Sequence, residues 1–173
     1  MSRPLELGSG LGIDRVTLRT VVTDPAVFAA TVGCSPDPAD RLLAALVTER
    51  LEDAQRLADE LLAGDPPFRV LALSADLLSR RGGHARAVAC HGELLTGAVG
   101  GPREAVVRQH LGKALFEAGE WRLAREQFAA ALRLREAAGA PADQVASSRL
   151  ALERVDEVLA AAAAEVPWSP ATG

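Results

Sequence analysis

The sequence predicts an all-α protein built from stacked antiparallel helix pairs. Three observations predict it. Ala and Leu, both strong helix formers, dominate a chain with 49% apolar and only 3% aromatic residues. Between Ala105 and Pro141, apolar residues recur every three to four positions on both sides of a break at Ala118-Gly119-Glu120. The same arrangement returns 37 residues upstream, with Ala75 at the place of Gly112, Leu78 of Leu115, Gly82 of Gly119, Ala87 of Ala124, His91 of Phe128 and Leu94 of Ala131.

Residues 1–14 carry Gly8, Gly10 and Gly12 without a helical period and read as a flexible leader. A phosphate-binding loop would need a preceding strand, a following helix and a longer glycine pattern. Residues 15–22 are the one β-branched run, favouring an extended segment or a poor helix. Asp24-Pro25 then opens a short helix ending at Gly33. Residues 1–33 therefore form an arm with one short helix.

Three helix pairs follow, in 35–67, 68–101 and 103–141. The first has helices at 38–48 and 52–63, opened by Asp37-Pro38 and stopped by Gly64-Asp65-Pro66-Pro67. Its Ala54, Ala58 and Leu61 take the slots of Ala124, Phe128 and Ala131, while Leu42 sits where a small residue belongs. The second pair is 68–80 and 85–96, split by Arg81-Gly82-Gly83. The third is 104–117 and 121–136, with Gly112 expected beside Ala124. A closing helix at 142–164 has a one-sided apolar stripe (Val145, Ser148, Leu152, Val155, Leu159, Ala162), as the end of a stacked array requires. The tail 165–173, with Pro167, Trp168 and Pro170, is expected to be disordered.

Leu111-Gly112, Ala124-x3-Phe128 and Pro141 resemble the pattern of the tetratricopeptide repeat (TPR), with Arg108 and Leu115 departing from its Trp and Tyr positions. The resemblance spans roughly 35–141 and is most specific in its last third. It implies a short right-handed superhelical array whose first helices line a concave groove for a peptide or helix of a protein partner. The groove slots it implies are Arg69, Ala72, Asp76, Ser79 and Arg80 in the second unit. In the third they are Val106, Gln109, Lys113, Phe116 and Glu117, and in the first Ala39, Leu43, Leu46 and Val47. With no Asn and a single Lys, the chain lacks the clamp of repeat proteins that hold chaperone tails.

Composition narrows the function further. A net charge of −4 with interleaved signs disfavours nucleic acid. No apolar run is long enough to cross a membrane and Met-Ser-Arg-Pro is no signal peptide, so a cytoplasmic protein is expected. Arginine supplies all but one of the 19 basic residues, which suits a GC-rich bacterial genome. Two cysteines make no disulfide framework. His84 and His91 in HARAVACH lie two turns apart on one helix, about 10 Å, too far for one metal ion. His91 reads as the filler of the Phe slot, Cys90 as a small core residue and His110 as a surface residue. Glu117 and Glu120, near Trp121 and Arg125, read as local surface structure. No catalytic grouping, metal or cofactor is expected. An adaptor binding a protein segment is the first reading. The alternative is self-association, with the arm or the Trp168 tail docking into a groove, as in a homo-oligomer.

Overall fold

The computed structural model describes residues 3–165; the Trp168 tail lies outside them. The described chain is mostly helical. Eight helices follow a small antiparallel sheet: α1 Pro25–Gly33, α2 Pro38–Val47, α3 Leu51–Leu62, α4 Phe68–Arg80, α5 His84–Ala98, α6 Glu104–Glu117, α7 Trp121–Ala137 and α8 Ala142–Ala164. Each helix packs on its sequence neighbours, and α2, α4, α6 and α8 also touch in succession as one layer.

The pairs share one turn chemistry. Gly82 and Gly119 both take positive φ, and the next residue's N–H returns to the last helical turn (Gly83 to Leu78 O, 2.8 Å; Glu120 to Leu115 O, 2.9 Å). Glu49 takes the same left-handed place in the first pair without being glycine. Each second helix buries two residues four apart: Ala54 and Ala58, Ala87 and His91, Ala124 and Phe128. Gly112 is required by Phe128 rather than Ala124, since a Cβ there would lie 2.6 Å from the ring's Cε1.

The N-terminus departs from expectation. The residues read as a flexible leader form β1 Leu5–Gly8 and β2 Leu11–Ile13, and β3 Thr20–Val22 completes a three-stranded meander. Ser9 and Gly10, both at positive φ, make the two-residue hairpin turn. Gly10 also approaches α1, where any Cβ would come within 2.6 Å of the Phe28 amide. Asp14 orders the β2–β3 loop by accepting from the Thr17 and Val16 amides and the Thr17 hydroxyl at 2.7–3.1 Å. Those bonds hold its carboxyl below the ordinary value. Leu5, Leu7, Ile13 and Leu18 join Leu111, Leu115, Phe128 and Val155 in the main core.

Candidate functional site

The face that the repeat resemblance assigns to a ligand is formed by α4 and α6, and the β2–β3 loop lies on it. Leu18, Arg19 and Thr20 meet Asp76, Ser79, Arg80, Lys113, Ala114 and Glu117 around a cavity of about 40 Å³. Leu18 is 1% exposed. Its φ of +60° is unfavourable for leucine, costing on the order of 1–3 kcal/mol, and is sustained by the burial of its side chain. Arg19 donates to Glu117 at 2.6 Å, and Arg80 donates to the Thr20 carbonyl at 3.1 Å and to Glu49. Ser79 donates to the other oxygen of Glu117 and contacts His84 Nδ1 at 3.1 Å.

Most of the expected groove residues therefore have partners inside the chain. Arg69 clamps Asp37 and Asp40 at the start of α2, which keeps Asp40 below its ordinary value against the opposing effect of burial. Ala72, Ala39, Leu46 and Val47 are buried core. Val106, Leu43 and Phe116 are partly covered, Phe116 by the main core. Gln109, expected to face a partner, is buried between α6, α7 and α8. Its carbonyl accepts from Ser148 at 2.7 Å, and Ser148 accepts from Arg135 at 2.8 Å. Arg135 is 7% exposed, forms no ion pair among the described residues, and is pushed down by burial, with Asp143 opposing.

Asp76, on α4, gathers His91 and His110, which the sequence places as the filler of a Phe slot and as a surface residue. His91 Nε2 on α5 and His110 Nδ1 on α6 both lie 3.0 Å from its carboxylate, and the two rings stack at 5.6 Å between centroids. Burial works against the carboxylate's charge, but the imidazoles outweigh it and hold Asp76 well below the ordinary range. These three side chains are the described residues with the chemistry and proximity to hold a metal.

Lys113 takes in α6 the place that Asp76 takes in α4. Burial lowers its pKa, as do Arg135 and Arg80, while Asp76 and Glu117 oppose. The unfolded chain thus binds this proton more readily than the folded one, so the charge costs stability below the folded pKa and the cost fades toward pH 10.5. Lys113→Met is expected to raise the melting temperature at pH 7 by a few degrees, with the gap to wild type closing in alkali. Thermal unfolding of both proteins across that range checks it.

Among the described residues, no helix is long and apolar enough to cross a membrane. In comparisons with known proteins, no family model, no curated protein and no solved structure matches this chain.

Proposed function

We propose that this chain is a TPR-like protein-interaction module whose first-helix layer holds an extended polypeptide segment, without a catalytic role. The observation that carries the reading is the β2–β3 loop on the α4–α6 face. A non-helical segment lies across two successive first helices, buries one leucine there and gives a backbone carbonyl to Arg80. A partner segment would use the same anchors, so the module works as an adaptor when the loop yields its place. Arg80, a groove residue in this reading, is 9% exposed and bonds Glu49 and the Thr20 carbonyl while the loop is in place.

Full-length Leu18→Asp tests the reading. Losing a buried leucine costs about 2–5 kcal/mol, and a carboxylate must then be desolvated in its place. The loop is expected to become open to trypsin at Arg15 and Arg19 while the helical circular dichroism is kept. The variant should then capture a protein from the native host saturably, and a synthetic peptide spanning residues 12–23 should displace it. Failure of both wild type and variant to capture anything that this peptide displaces would end the adaptor reading. A doubled mass in light scattering, lost with the variant, would instead favour exchange of the meander between copies.

A further inference from the structure

We propose that Asp76, His91 and His110 form a site for one divalent transition-metal ion of the zinc class, bound between α4, α5 and α6. The ligand atoms of the three residues all lie within 4.8 Å of one another, and each imidazole nitrogen is 3.0 Å from the carboxylate. Metal–ligand bonds of about 2.0–2.2 Å in tetrahedral geometry need donor atoms about 3.3 Å apart, so small side-chain adjustments convert one arrangement into the other. Two imidazoles and one carboxylate suit zinc, cobalt or nickel better than calcium or magnesium, which prefer oxygen alone.

The repeat itself argues that these polar residues are not there for packing. One unit later, the slot of His91 holds Phe128, a phenyl ring that fills the same inter-helix space with no polar atom to satisfy. His91 is also fully buried, yet its Nδ1 has no hydrogen-bond partner. A buried ring with one orphan nitrogen is a costly substitute for phenylalanine unless its other nitrogen does something phenyl cannot. Asp76 supplies the anionic ligand.

Access is open. Asp76 and His110 keep about a quarter of their side chains exposed, 28% and 27%, while His91 closes the inner side at 1%. Three protein ligands leave a fourth position for water. Coordination through Nε2 leaves the His91 proton on Nδ1, without the outer hydrogen bond that usually orients a ligating imidazole. Binding is therefore expected about 10–100-fold weaker than in sites that have one. Lys113 beside Asp76 opposes a second cation, so its removal should tighten the site.

The test uses the full-length chain without an affinity tag, stripped by a chelator and titrated with cobalt(II). Expected is saturation at one equivalent, with the intense visible absorption of a tetrahedral cobalt ion that zinc(II) abolishes. His91→Phe installs the residue of the equivalent slot and should keep the helical circular dichroism while weakening cobalt binding at least about 100-fold. His110→Gln should do the same from the exposed side, and Lys113→Met should bind more tightly than wild type. Absence of one-equivalent binding in the wild type would overturn the proposal. So would undiminished binding in both histidine variants.

Discussion

Phe128→Ala is expected to lower the unfolding free energy by about 3–5 kcal/mol, the largest effect of any single truncation in this chain. Phe128 is the largest fully buried side chain, in the core that joins the third helix pair to α8 and the N-terminal meander. Its ring lies against Gly112, where no side chain can follow it into the space left behind. The cavity therefore stays open, and the cavity cost adds to the lost transfer energy. For a domain whose whole stability is about 5–15 kcal/mol, such a loss leaves little margin. Urea unfolding followed by circular dichroism measures it. A midpoint within error of wild type would mean that α6 and α7 do not meet through this ring.

The second large effect concerns the guanidinium of Arg135. Gln109→Leu removes the amide oxygen that anchors Ser148 and faces Arg135 at 3.5 Å. What remains is a buried cation with Ser148 and the Gln144 carbonyl, the latter at 2.7 Å. Hydrogen bonds to charged groups contribute about 1.5–3 kcal/mol, and a loss of that size is expected. Arg135→Met on the Gln109→Leu background should recover most of it, because an apolar chain then fills the space without needing acceptors. The pair is measured as a double-mutant cycle, in which strong coupling is the expected result. Additive losses would show that Arg135 draws its support from elsewhere.

Much of the helical framework was legible in the residues. Asp24-Pro25 and Asp37-Pro38 announce helix starts, and in both cases the aspartate side chain accepts the first free amides. The 37-residue spacing located Gly82 and Gly119 at turns and the small-plus-ring slots at buried positions. The meander was written there too, but in another period. Leu-Glu-Leu-Gly-Ser-Gly-Leu-Gly-Ile alternates around Ser9-Gly10, a two-residue hairpin signal. Its glycines suggest freedom of the backbone, whereas Gly10 and Gly12 are needed for close approach. Asp14, three residues before Thr17, was the further sign of an ordered turn.

The site was less legible because its members come from different helices. A helical period gives the face a residue occupies and the distance along its own axis. On that basis His91 shares a face with His84, two turns away, whereas the partners it meets lie on α4 and α6. The same limit applies to the groove. The repeat resemblance names Arg80, Lys113 and Glu117 as one face, but which segment covers that face depends on contacts across about a hundred residues.

Arg154 on α8 donates to the Val16 carbonyl at 3.1 Å, 138 positions earlier in the chain. Repeat stacks ordinarily acquire structure locally, each unit completed by the next. Here the β2–β3 loop has its full seat only once α8 is in place. The expected kinetic signature is rapid helix formation followed by a slower step in which the meander meets α8, since distant closure sets the folding rate. Until that step, the apolar face of α4 and α6 stands open, and any chain within reach can take it first.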